Sequence, residues 1–173
     1  MLSYVVHKTS VQMIHAFIKA QEIERRLIAH KMFGEEGVNC HVKSRVIGPF
    51  VRLKVVSGHY LTFMNSTVEP GKVAFCENEH SWLVWRNRFI MDVSPVGFDS
   101  DGPIIVKMDS EFPGFYNYQP LPIRKGPAAA RSRRMWEKVN RIGRQLCVLL
   151  EEEPFTEDFM KRRFNQLIML DSK

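Results

Sequence analysis

The tightest constraint on the fold is a hairpin near the middle of the chain. Two apolar runs, Ser81 to Trp85 and Arg88 to Val93, flank Arg86-Asn87. Runs of this kind, separated by a few turn-forming residues, read as neighbouring antiparallel strands. A three-residue loop, Trp85-Arg86-Asn87, with Asn87 in the left-handed conformation that Asn tolerates, pairs Val84 with Arg88. Counting outward then sets His80 directly opposite Asp92. Cross-strand neighbours hold their Cβ atoms about 4.5–5.5 Å apart, so a carboxylate there reaches an imidazole N–H. A two-residue loop instead opposes His80 to Val93.

Around this hairpin the pattern changes period. Val11, Ile14, Phe17, Ile18, Leu27 and Ile28 recur at helical spacing, which predicts a helix from about Ser10 to Phe33, capped by Thr9 or Ser10 and ended at Gly34. A short helix is expected from Cys40 to about Ile47, stopped by Gly48-Pro49. Phe50 to Val56 reads as a strand, with a second after Gly58 through Phe63. Asn65 to Gly71 reads as a loop, Val73 to Phe75 as a short strand, and Ile104 to Met108 as another after the 99–103 turn. Glu111 to Pro127, rich in Pro, Gly and Tyr, is expected to be ordered but irregular. Two helices close the chain, Ala128 to Glu151 and Thr156 to Leu170. The order helix, helix, strands, helices is that of an α+β protein on a central antiparallel sheet. With 173 residues it fits one domain, a core over 1–123 and a two-helix extension over 124–173.

Composition narrows the setting. Hydrophobic content of 45% and charged content of 25% are ordinary for a soluble globular chain. The N-terminal residues lack the pattern of a secretory signal, and no apolar run is long enough to span a membrane. The three cysteines, Cys40, Cys76 and Cys147, are odd in number and scattered, which fits reduced thiols and a cytoplasmic setting. Oligomeric state is left open.

Cys40, His80 and Asp92 supply the thiol, imidazole and carboxylate of thiol-nucleophile chemistry. A Cys opening a helix meets unpaired N–H groups and the positive end of the macrodipole, which favour the thiolate. Those N–H groups also suit an oxyanion. An imidazole oriented by a carboxylate leaves its other nitrogen for the thiol. The structural alternatives are a buried, apolar Cys40 and a His80–Asp92 pair at a sheet edge.

The runs Cys40-His41-Val42-Lys43-Ser44, Val51 to Gly58, His80-Ser81-Trp82-Leu83 and Phe89-Ile90-Met91-Asp92-Val93 resemble the papain-like and transglutaminase-like thiol enzymes. There a Cys begins a helix, strands follow, and a His-x-Trp segment precedes a strand ending in Asp. The match covers about Asn39 to Pro95. The resemblance implies Cys40 as nucleophile, His80 as general base and Asp92 as the residue orienting it. It also implies acyl transfer at a peptide or protein amide, by cleavage, deamidation or transamidation, with no cofactor.

Two rival constellations remain. Cys76-x-x-x-His80 with Cys40-His41 could make a zinc site. His59 reads as a strand residue and Cys147 as helix core. Arg124 to Arg144 carries many cations against Glu137 alone. On a helix, Met135, Val139, Ile142, Leu146 and Leu149 form an apolar stripe, and Arg131, Arg134, Lys138 and Arg141 are candidate polyanion contacts. The net charge of +6 suits that reading, a binding module for protein or nucleic acid built on helix 128–150. A solvated helix face is its bland counterpart.

Overall fold

A computed structural model describes residues 11–33, 39–65, 73–95, 102–108 and 117–171. In chain order these form α1 (Val11–Ala29), α2 (Cys40–Val51), β1 (Lys54–Asn65), β2 (Val73–Trp85), β3 (Phe89–Asp92), β4 (Ile104–Lys107) and β5 (Tyr118–Pro120). A 3₁₀ turn (Ile123–Lys125), α3 (Ala128–Arg131), α4 (Arg133–Glu152) and α5 (Glu157–Asp171) complete it. The chain is α+β: one antiparallel five-stranded sheet in the order β4-β3-β2-β1-β5, with helices before and after it in sequence.

Alternation along the strands divides the sheet into two unlike faces. Leu83, Phe89, Met91 and Ile105 point toward the helices. They share a core with Phe17, Ile23 and Leu27 of α1, Val46 and Ile47 of α2, and Met135, Val139, Ile142, Leu146 and Leu149 of α4. The apolar stripe expected on α4 therefore belongs to the main core. The opposite face gathers Tyr60, Trp82, Val84, Ile90, Val106 and Tyr118. On α1, buried Glu22 binds both Arg25 and Arg26, and Glu24 takes Lys43 of α2 at 2.5 Å. That last pair ties the first two helices together by charge as well as by packing.

Several elements differ from the sequence expectation, each for a local reason. The second helix does not stop at Gly48-Pro49 but runs to Val51. Gly48 is where α2 comes closest to the sheet: a Cβ there would sit 2.9 Å from Val55 Cγ2 and 3.0 Å from Leu83 Cδ2. The helix ends instead at Arg52, left-handed at φ 58°, with Arg52 N–H bonded to Pro49 O and Leu53 N–H to Gly48 O. This is a Schellman closure carried by a residue other than Gly. Phe50 and Val51 are thus helical, not the start of a strand.

The two strands expected across Gly58 are one, paired with β2 from Lys54↔Val84 to Asn65↔Val73. The separate strands expected at Val73–Phe75 and Ser81–Trp85 are likewise one element. Within the stretch expected to be irregular, β5 adds an edge strand against Gly58–Tyr60. The helix expected from Ala128 to Glu151 is broken at Ser132, whose hydroxyl caps α4 by accepting from Met135 N–H at 3.1 Å. The caps expected at Thr9 or Ser10, the stop at Gly34 and most of the 65–71 loop lie outside the described residues.

Candidate functional site

Cys40 is the first residue of α2, and Asn39 is its N-cap, accepting from Val42 N–H through Oδ1 at 3.1 Å. The amides of Cys40 and His41 precede the first intrahelical bond, so the helix itself gives them no acceptor. The half-buried Cys40 thiol lies 3.9 Å from the carbonyl oxygen of Glu79, one residue before His80 in β2. The start of α2 is therefore seated against the same stretch of strand that carries the imidazole.

His80 and Asp92 are both fully buried and in contact, Nε2 to Oδ2, at 2.6 Å. The register that joins them is not the one the loop argument gave. The hairpin pairs Trp85 with Phe89, Val84 with Ile90 and Leu83 with Met91. Its loop is Arg86-Asn87-Arg88, with both Arg86 (φ 49°) and Asn87 (φ 52°) left-handed. Extending that pairing sets Asp92 opposite Trp82, so His80 is its diagonal neighbour on the same face. Diagonal positions lie about 7–8 Å apart, a span that two side chains of this length close together. The loop is three residues long, as considered, but begins one position later.

Asp92 is held by three donors. Oδ2 accepts from His80 and from the Tyr118 hydroxyl at 2.8 Å, and Oδ1 accepts from Ser94 N–H at 2.9 Å. A buried carboxylate so supplied has its oxygens satisfied and is fixed in place. The imidazole is enclosed by rings. Trp82, two residues along β2 and so on the same face, stacks at 5.9 Å and 27°, and Tyr60 meets it edge-on at 5.9 Å. The His-x-Trp spacing is thus one face of a strand.

The electrostatics follow from this enclosure. Burial disfavours the charged ring, but the hydrogen bond and charge of Asp92, joined by the influence of the nearby Cys40 thiol, outweigh it and raise His80 to about 9. With Nε2 committed to Asp92, Nδ1 is buried and among the described residues has no hydrogen-bond partner. The thiol acts on the ring from close range without completing that bond. At neutral pH His80 is an imidazolium whose second N–H is unspent.

Behind the trio lies a buried polar knot. Ser81 Oγ meets His41 Nδ1 at 2.7 Å, Ser57 Oγ at 2.8 Å and Arg45 Nη1 at 3.1 Å, while Ser44 donates to Ser81 O at 2.8 Å. His41 is lowered to about 4, first by burial and then by Arg45. It is neutral, and it faces Ser81 while its neighbour Cys40 faces Glu79, so the two do not converge as zinc ligands. Among the described residues no group of His, Cys, Asp or Glu is arranged to hold a metal. The Cys76 side chain lies outside them. His59 sits in β1 with Nδ1 3.3 Å from Glu77.

No protein-family model, curated protein or solved structure matches the chain. The site is read from its own geometry.

That geometry brings Cys40, His80 and Asp92 together and leaves the basic residues elsewhere. Arg131, Arg134 and Arg141 are exposed and Lys138 half-buried along α3 and α4. Cys147, expected in the core of α4, is instead exposed, because the buried stripe passes through Leu146 and Leu149. Among the described residues no helix is long and apolar enough to cross a membrane. Tyr118, Ser81 and Arg45 were not anticipated. The one signal for Tyr118 was its place in a stretch rich in Pro, Gly and Tyr that reads as ordered but irregular, and nothing there pointed at Asp92.

Proposed function

We propose that the chain is a thiol-dependent amide hydrolase or acyltransferase with Cys40 as nucleophile, His80 as base and acid, and Asp92 as the residue that orients His80. The observation that carries this reading is the imidazole itself. One nitrogen is fixed on a buried carboxylate; the other is unpartnered and under the influence of a thiol at a helix N-terminus. The papain-like and transglutaminase-like enzymes, which the motifs resemble, use a Cys, a His and an orienting Asn or Asp in the same chain order.

In this mechanism the proton on His80 Nδ1 is the one the Cys40 thiol has given up, and the thiolate attacks the amide carbonyl carbon as the C=O π pair moves to oxygen. The first amides of α2 hold the resulting oxyanion. Collapse re-forms the carbonyl and breaks the C–N bond, and Nδ1–H protonates the leaving amine, which departs. Cys40 is left as a thioester. Water then gives hydrolysis or deamidation, and an amine gives transamidation. In either case His80 removes the attacker's proton and returns it to the thiolate. Asp92 keeps Nδ1 turned toward the sulfur throughout.

The test is to trap the thioester. Brief exposure to p-nitrophenyl acetate, followed by intact-mass and peptide mapping, is expected to show one acetyl group on Cys40, and none there in His80→Ala. Acetylation spread equally over Cys40 and Cys147, or absent from Cys40, sinks the proposal.

A further inference from the structure

A cavity of about 920 Å³ shares two walls with the site, Trp82 and Tyr118, the rings that touch His80 and Asp92. Its volume is that of a pocket for a small molecule or a few peptide residues. Most of the lining is apolar, contributed by Val56, Leu121 and Trp136 among others, and its charged members are Arg45, Lys54 and Arg131. Among the described residues no carboxylate lines it.

Among the described residues neither Arg45 nor Arg131 is paired with an anion. Arg45, half-buried, donates to His41 O (3.0 Å), Ser81 Oγ and Ser57 Oγ (2.8 Å), all of them neutral acceptors. Three bonds leave two of its five N–H donors. Its guanidinium lies over the Trp136 ring at 5.5 Å, which fixes its plane. Arg131 donates only weakly, at 3.4 Å, to the carbonyls of Pro127 and Arg124. A desolvated guanidinium without a counter-charge is costly unless an anion arrives to pair with it. Burial lowers Arg45, and the group that offsets this is the Cys40 thiol, which places the cavity's half-buried cation within electrostatic reach of the nucleophile.

We infer that this cavity binds the carboxylate of the amide substrate, with Arg45 and Arg131 on the anion and the apolar wall on the body that carries it. The choice of a carboxylate rests on the amide chemistry proposed above, since the anion of a peptide is its C-terminus or an acidic side chain. Both sources present the same planar group, which a guanidinium fork meets with two parallel bonds.

The experiment is calorimetric binding to the Cys40→Ala protein, which cannot turn over. Three acetylated leucyl-phenylalanyl peptides serve as probes: one ending in a free carboxylate, one in an amide, and one in an amide with an internal glutamate. One or both charged peptides are expected to bind about tenfold or more tightly than the neutral one. The free acid alone assigns the C-terminus, and the glutamate peptide alone assigns the side chain. Arg45→Gln should erase the preference. Exposed Arg131→Gln, which leaves the buried knot intact, should reduce it if Arg45→Gln does not fold. Equal affinities, or no saturable binding by any of the three, overturn the inference. Selective binding with no acylation of Cys40 in the wild type keeps the pocket and removes the reaction. Acylation without selectivity does the reverse.

Discussion

At the residue scale, the behaviour of each titratable group follows from how it is held. His41 on α2 and His80 on β2 are driven in opposite directions by one environment. His80, raised from 6.5 to about 9, binds its proton more tightly when folded. Its contribution to stability is fully present below pH 6.5 and is lost as pH rises through 9. His41, lowered from 6.5 to about 4, is buried neutral, so the unfolded chain takes up the proton first and stability is lost as pH falls from 6.5 through 4. Urea midpoints are therefore expected to peak near pH 6.5 and fall on both sides, with His80→Gln flattening the alkaline side alone. A profile unaltered by His80→Gln contradicts the assignment. Tyr118 acts on the same pair: Tyr118→Phe removes one donor from Asp92 and should lower the rate of Cys40 acylation by about tenfold, one hydrogen bond to a charged group. It should also shift the His80 titration followed by NMR, whereas a purely packing role leaves that titration in place.

Elements explain which parts of the site could be read in advance. His80 and Asp92 were legible because strand period puts them on one face whichever diagonal joins them, and a two-residue error in register preserves the face. The register itself was not legible, because two adjacent non-glycine residues, Arg86 and Asn87, take left-handed φ and move the loop by one position. The end of α2 was missed for a related reason: Gly48-Pro49 reads as a stop, but the packing of Gly48 against Val55 and Leu83 carries the helix one turn further. β5 was missed because three residues form a strand only where β1 is there to pair with them. That dependence is testable at Gly58, where a Cβ would meet Gln119 O at 2.1 Å and Trp82 Cη2 at 2.8 Å. Gly58→Ala is expected to push β5 off the sheet, cost about 1–3 kcal/mol or more, and release the Tyr118 hydroxyl from Asp92. Denaturant midpoints indistinguishable from wild type would refute this.

Over the whole molecule, the trio is an outcome of layering. α2 is laid on one face of the sheet by Gly48, Val46 and Ile47. The imidazole and carboxylate stand on the other face, and the thiol reaches them from the helix start. The sequence alone contains the three groups and the His-x-Trp face, and only the family resemblance puts Cys40 beside His80. The packing of α2 supplies that proximity independently. The most direct measurement of the central claim is the alkylation rate of native Cys40 by iodoacetamide, compared with Cys147 between pH 5 and 10. Cys147 is the more exposed thiol, so accessibility alone favours it. The expected result is that Cys40 reacts faster at pH 6–8 and loses that advantage in His80→Ala; a Cys40 that reacts no faster than Cys147, or that is indifferent to His80, contradicts the account.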